Sequence, residues 1–351
     1  MHNIAGPRPS VIRVALDAMG GDFGPQETVK GAVEALRSGN VALTLVGDRD
    51  LVEAELAKYS VASLPVGIVP SIGKIGDDEH PVQALRHKPR ASIMVATKLL
   101  KNAQADVLVS MGSTGASMAS AALTLGLMEG LERPCIGGPF LGLAPLTVLV
   151  DLGSNLDCRP SLLLSFGALG AVFARKYLGV ENPRVGLLSV GEEAAKGNRQ
   201  VQESYQLFQE SHLNFIGNVE GMDFFTNRAD VIVCDGFVGN ILLKYTEGLG
   251  RALLQYLGKN LSPLLSSEDL GKLNAGLLEM TNLVHRTGGP LLGVNGAVIV
   301  GHGSSKSDAV AGAIATAVRY VELGLVESMR EELVEIHRRS SLRPSQAKGS
   351  T

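Results

Sequence analysis

The sequence predicts an α/β fold built on a largely parallel sheet. Short β-branched or leucine-rich runs alternate with helix-like stretches, and most of the strand-like runs end in polar, glycine-containing loops. Strand, tight loop and helix in repetition is the pattern of βαβ units. The composition agrees: 351 residues, 45% hydrophobic and 19% charged, with 42 glycines and no tryptophan, supply a large core and many tight turns.

Each element follows from local pattern. Val11–Leu16 reads as the first strand, and the segment Asp17 to Pro25 (DAMGGDFGP) as a tight loop opening a helix from about Pro25 to Leu36. Such a helix start offers unpaired N–H groups to an anion such as phosphate. Val41–Val46 leads to a helix that Asp48 caps and that runs towards Tyr59. Val107 to Met128 is uncharged and long enough to mimic a membrane span. Gly112-Ser113-Thr114-Gly115 divides it, so a buried strand followed by a buried helix is expected. Three prolines within Pro134–Val150 argue for strands and turns there. Arg184–Ser189 precedes a helix around Gln200–Glu210, and Val231–Cys234 a long helix from about Val238. Ala297–Val300 precedes a final helical region from Asp308 to about His337. No internal repeat and no linker is visible. One catalytic domain over 11–338 is expected, between a 1–10 tail without a signal-peptide core and a polar, disordered 339–351 tail.

Several function classes lose support. The net charge of −3 argues against a nucleic-acid partner. Cys135, Cys158 and Cys234 stand far apart without a C-x-x-C, which indicates neither disulfides nor zinc and fits a reducing cytoplasm. No complete G-x-G-x-x-G after a strand, P-loop, G-x-S-x-G elbow or H-E-x-x-H occurs, and the histidines lack metal-ligand spacing. Neither a metal nor a cofactor is expected.

The polar strand ends are the candidate chemistry: Asp17–Asp22, Gly112–Gly115, Asp151–Cys158, Gly191–Asn198, Asp235–Asn240 and Gly301–Ser305. In open parallel sheets ligands bind outside the carboxyl ends of the strands, so these loops are expected to line one cleft. Lys196 suits a phosphate or an oxyanion, against the alternative of a surface lysine paired with Glu192 or Glu193. Asn240 suits a carbonyl oxygen, against the alternative of a helix-start asparagine. Asp17 and Asp22 are awkward beside an anion and fit better as holders of loop amides or cations.

Taken in order, the segments ALDAMGGDFGP, LVGD at Leu45–Asp48, HPVQALRHK at His80–Lys88, GSTGA, DLGSNLDCRP, NPRVGLLSVGEEAAKGN, FIGNVEG, VCDGFVGNILLK and GPLLGVNGAVIVGHGSS resemble the bacterial acyl-ACP:phosphate acyltransferase family of phospholipid synthesis, from about Val11 to Leu325. The resemblance implies a Rossmann-like αβα fold like that of the isopropylmalate dehydrogenase and phosphotransacetylase group, with a helical protrusion at about 254–285, usually as a homodimer. It implies transfer of a fatty acyl group from acyl carrier protein to inorganic phosphate. The implied catalytic residues are Lys196 and Asn240. Asp17, Gly20, Gly21, Asp22, Ser113, Thr114, Gly115, Asn155, Asp157, Asn198, His302 and Ser304 are the expected phosphate or acyl contacts.

The sequence departs from that family in three places. Ser113 stands where asparagine is usual. After Lys88 the chain reads Pro89-Arg90-Ala91-Ser92, so Arg86, Lys88 and Arg90 make a basic segment suited to the acidic carrier protein, or else a solvated turn. Family resemblance also implies a cytoplasmic protein in transient contact with the inner face of the cell membrane. Here Leu261–Val284 holds Lys272 as its one base among Glu268, Asp269 and Glu279, so membrane contact must rest on apolar insertion, or the leucines are core or dimer interface. Alternatives are an acyl-CoA:phosphate acyltransferase, a nicotinamide-dependent decarboxylating dehydrogenase and a non-enzymatic scaffold at the membrane.

Overall fold

A computed structural model describes residues 11–261, 264–281 and 283–341. The expected 1–10 tail and the 342–351 part of the C-terminal tail lie outside them. Eleven strands form one sheet: β1 (Ile12–Asp17), β2 (Val41–Gly47), β3 (Val66–Pro70), β4 (Val107–Ser110), β5 (Cys135–Pro139), β6 (Val148–Val150), β7 (Val185–Leu188), β8 (Phe215–Val219), β9 (Val231–Val233), β10 (Gly289–Leu292) and β11 (Ala297–Val300), in the order β3-β2-β1-β4-β11-β10-β5-β6-β9-β7-β8. The first five in that order are parallel to one another, and so are the last four. Between them β10 and β5 each run antiparallel to both neighbours. The two parallel halves therefore point in opposite directions.

The halves repeat one another in topology, which the sequence does not betray. In each, one strand pairs with the next in sequence on one side and with a later strand on the other: β1 with β2 and β4, β7 with β8 and β9. Both β1 and β7 are tied to that later strand at the start by the same arginine–aspartate device. Arg13 N donates to Asp106 Oδ2 at 2.8 Å and its Nη2 to Oδ1 at 2.6 Å; Arg184 N donates to Asp230 Oδ2 at 2.7 Å and its Nη2 to Oδ1 at 2.9 Å. Asp106 N and Asp230 N return bonds to the arginine carbonyls at 2.7 and 2.9 Å. The repeat lies in geometry and in this pair, not in extended identity.

Helices cover both faces. On one lie α1 (Gln26–Ser38), α6 (Pro160–Tyr177), α7 (Arg199–Gln209), α11 (Ser307–Glu322) and α12 (Leu325–Ser341), over a continuous core that joins Leu16, Val109 and Ile299 to Val150 and Val233. The other face has two separate clusters. One, with Leu108, Val298 and Val300, lies under α4 (Ser92–Lys101) and α5 (Thr114–Thr124); the second, with Leu149, Ile232 and Phe140, lies under the start of α8 (Gly236–Leu261). Ile136 packs against both. The smaller helices α2 (Arg49–Leu56) and α3 (Pro81–His87) complete the first half.

Most expected elements appear, several within a residue of their limits. Asp48 caps α2 by accepting from Leu51 N at 3.2 Å, and the uncharged 107–128 stretch is a strand followed by a helix, with Ser113 as the helix cap. The final helical region is two helices, because Gly324 takes φ +62° and α11 and α12 meet at 58°. Among the described residues no single helix is long and apolar enough to cross a membrane. Helix α6 escapes sequence analysis because Leu162 to Ala174 is buried on every side, which leaves no amphipathic period to read. Of the 26 residues of α8 only Gly236, Gly239, Glu247 and Gly250 are buried, so beyond its first turns it projects and pairs with α9 (Ser267–Thr281), followed by α10 (Leu283–Thr287).

Burial alone would raise the Asp230 carboxyl, but the Arg184 guanidinium and N–H hold it below the ordinary carboxylate range. A depressed folded value means that its stabilisation is present above the usual aspartate pKa and is lost as pH falls through the folded one. Asp230→Asn should therefore cost about 1 kcal/mol near neutrality, given the partly solvated arginine. Urea melts at decreasing pH should show the variant and the unaltered protein converging in acid.

Candidate active site

A cleft of about 290 Å³ opens between the two clusters of the second face, over the junction of β10 and β5. Ile136, Leu152, Leu243 and Val300 make its apolar walls, while Thr114, Asn240, Lys244, Glu247 and His302 supply polar groups. Four of the six expected loops contribute: those after β4, β6, β9 and β11. The loops after β1 and β7 do not line it: each strand stands third from the junction, β1 behind β11 and β4, β7 behind β6 and β9.

Asp151 organises the site. It is buried, directly after β6, and its carboxylate accepts from Gly153 N (3.1 Å), Ser154 N (2.9 Å), Asn155 N (2.7 Å) and Asn155 Nδ2 (2.8 Å), with a longer contact from Ile136 N (3.4 Å). Burial pushes this carboxyl upward, and the Ser154 and Asn155 donors pull it back. Asn155, expected at the ligand, spends its amide on Asp151 and on Pro134 O at 2.8 Å; it shapes the loop. The three cysteines surround this carboxylate. Burial and then its charge push Cys158 up to about 12 and the thiols of Cys135 and Cys234 well above their ordinary value, so they stay protonated and are not nucleophiles.

Helix α8 begins against this loop. A Cβ on Gly239 would stand 1.8 Å from Asp151 O, and one on Gly236 2.7 Å from Asn155 N. Only glycine lets the helix approach so closely, and that approach sets Asn240, exposed, against Gly153 at the cleft. Lys244 follows one turn later on the same helix face. Its Nζ donates to the buried Glu247 at 3.0 Å and lies 3.2 Å from His302 Nε2; His302 Nδ1 is 2.9 Å from Ser304 Oγ. Lys244 and Glu247 are absent from the sequence-based site. Lys244 closes the segment VCDGFVGNILLK and stands four residues after Asn240, the spacing that could have marked it.

The opening loop packs beside the cleft. Asp17 is buried and accepts from Ser110 Oγ at 2.8 Å, and that hydroxyl accepts from Gly112 N at 3.1 Å. Burial pushes its carboxyl up and the Ser110 bond lowers it. Asp17 thus supports the turn through Gly20 and Gly112. Gly21, at φ +79°, lets Asp22 N donate to Gly303 O at 2.8 Å, and the Asp22 side chain is exposed. Ser113 and Gly115 flank Thr114 at the start of α5, and Asp157 is exposed and not among the cleft-lining residues.

Lys196 is exposed on the loop after β7 and is not among the cleft-lining residues. It pairs with neither acidic neighbour in the described structure, since Glu192 binds Arg228. Asn198 caps α7 by accepting from Val201 N at 2.9 Å. In the basic segment Lys88 is committed to Glu79 at 2.6 Å, which leaves Arg86 and Arg90 exposed. Among the described residues no group of three or more His, Cys, Asp or Glu side chains is gathered to hold a metal.

The family described as fatty acid synthesis proteins matches residues 12–328. The chain belongs to that family. It is 42% identical over 327 residues to a phosphate acyltransferase of Desulforamulus reducens, covering 92% of this chain and 98% of that one. It is 45% identical over 315 residues to a phosphate acyltransferase of Acaryochloris marina, covering 86% and 90%. In fold it is similar to a phosphotransacetylase from Streptococcus pyogenes, with a TM-score of 0.59 and 18% identity over 89% of this chain and 94% of that one. A 4-hydroxythreonine-4-phosphate dehydrogenase from Klebsiella pneumoniae shares the fold at TM-score 0.51 and 14% identity, over 90% and 99%.

Two substitutions test this construction. Asp151→Asn should cost about 2–4 kcal/mol, because an amide NH2 would face N–H donors in a buried site. Gly239→Ala should cost about 1–3 kcal/mol by overpacking, and should move Asn240. Denaturant melts measure both, and an unchanged midpoint for Gly239→Ala would contradict the close approach.

Proposed function

We propose that the protein transfers a fatty acyl group from the thioester of acyl carrier protein to inorganic phosphate, giving the acyl phosphate used in phospholipid synthesis. The observation that carries this reading is family membership across nearly the whole chain, with relatives named phosphate acyltransferase. The cleft suits the substrate: an apolar wall for the acyl chain beside amide, hydroxyl and cationic groups for the carbonyl and the phosphate.

The chemistry needs little from the protein beyond placement. A thioester is already activated, and phosphate near neutral pH is an adequate nucleophile once oriented. The tetrahedral oxyanion then needs donors aimed at it. We assign Asn240 to orient the phosphate or the carbonyl, and the amides of the Ser113–Gly115 turn to accompany it. To Lys196 we assign neutralisation of phosphate as substrate enters past the β7 loop. Arg86 and Arg90 are the exposed cations assigned to the acidic carrier protein, with Lys88 holding their segment to Glu79.

The projecting pair α8–α9 supports two finer readings. Tyr245, Leu249, Leu253 and Tyr256 form an exposed apolar stripe at helical spacing, which we assign to a homodimer contact. Leu264 and Leu278, both exposed, are assigned to transient contact with the inner face of the cell membrane.

Incubation with acyl carrier protein thioester and phosphate should yield acyl phosphate by mass spectrometry, faster than with the matching acyl-CoA. Lys196→Ala and Asn240→Ala should each lower the rate by about 10²-fold or more; an unchanged rate for Lys196→Ala would remove its assignment. Leu264→Asp should reduce co-sedimentation with anionic liposomes, and unaltered binding counts against membrane insertion by this tip.

A further inference from the structure

Lys244 and Glu247 have no part in the chemistry assigned above, and His302 enters only as an expected ligand contact. Together they form a connected set inside the cleft. Glu247 is buried, its side chain 6% exposed, and it accepts from Lys244 at 3.0 Å with Arg251 3.6 Å away. An ion pair of this kind fixes where the Lys244 Nζ stands. An ammonium has three donors and no acceptor. His302 Nε2, 3.2 Å from that Nζ, must therefore present its lone pair. The imidazole is then neutral with its hydrogen on Nδ1, donated to Ser304 Oγ at 2.9 Å; Ser304 N, at 3.4 Å, is the longer contact and yields to it. A neutral imidazole with its basic nitrogen turned towards a fixed cation is a proton acceptor set next to an anion's place.

Acyl transfer to phosphate has a proton to move. Hydrogen phosphate carries it at the start, and the departing thiolate takes it at the end. We propose that His302 is the proton carrier of this reaction and that Lys244, anchored by Glu247, is the positioning residue that sets its tautomer and holds phosphate beside it. As phosphate enters, Lys244 donates to one of its oxygens and the phosphate O–H turns to Nε2. A second phosphate oxygen forms the bond to the thioester carbon while the O–H proton passes to Nε2. The tetrahedral oxyanion collapses, the C–S bond breaks with its electron pair on sulfur, and Nε2–H delivers the proton there. Hydrogen phosphate dianion and thioester become acyl phosphate dianion and thiol, and His302 returns to neutral.

The proposal rests on the acyl-transfer reading, and the experiment separates the two. Acyl phosphate formation is followed with the full chain, using an alkyl thioester (acyl carrier protein) and an aryl thioester whose thiolate departs without a proton. His302→Gln should lower kcat for the alkyl donor by about 10²–10⁴-fold, and the loss should shrink at least tenfold with the aryl donor. Lys244→Ala should raise KM for phosphate as well as lower kcat, with partial recovery in Lys244→Arg, and His302→Asn provides a second variant if His302→Gln folds poorly. A full rate in the His302 variants, or an equal loss with both donors, overturns the proton-carrier assignment alone. No acyl phosphate from the unaltered protein would remove the acyl-transfer reading, and this inference with it.

Discussion

Everything around the cleft depends on one buried carboxylate. Asp151 sits where β6 ends, on the strand that pairs with the junction strand β5 and opens the second half of the sheet. Four N–H donors from the next few residues close on it, and Ile136 N of β5 leans towards it. A buried carboxylate without donors is costly, and a run of turn amides without an acceptor is equally so. Each satisfies the other only if residues 153–155 wrap into a tight cup. Helix α8 can approach that cup only through Gly236 and Gly239. Asn240 and Lys244 inherit the placement of their backbones from this contact, and Glu247 then fixes the Lys244 ammonium.

Reversal of strand direction explains why a cleft exists there. On one face the helices lay a single continuous core across both halves, which makes them one body. On the other face each half buries its own apolar cluster, and among the described residues only Ile136 packs against both. The gap between the clusters is the cleft, and β10 and β5 are its floor. Carboxyl ends from both halves reach it because the reversal is confined to these two short strands. The matched arginine–aspartate ties join β1 to β4 and β7 to β9 at their starts, within each half.

The fold class was legible because alternation of strand and helix survives in hydrophobic pattern, as at Val107–Ser110 and in the Asp48 cap. Helix α6 was hidden by burial on all sides, and the twofold topology by the lack of repeated sequence, since backbone pairing constrains direction more tightly than residue identity. For the site, the polar strand ends identified loops but not which of them converge. Asp157 and Asn198 look like Asn240 as letters in a turn, yet one is exposed beyond the Asp151 cup and another caps a helix. Asn155 reads as a ligand side chain because nothing local reveals that Pro134 O will take its amide. For Asn155 the distinction depends on a partner more than ten residues away.

The same distance in sequence separates His302 from Lys244, and their meeting has a consequence for turnover. Lys244 is already shared with a buried glutamate, so a phosphate must compete for it. A cation half-neutralised in this way binds a dianion less tightly than a bare one would. Acyl phosphate carries the same charge as the phosphate it came from, so tight ground-state binding would hold the product as firmly as the substrate and add nothing to the chemical step. Glu247 weakens that hold and still fixes Nζ in space. The cleft thereby keeps orientation, which the reaction needs, without the affinity that would slow release.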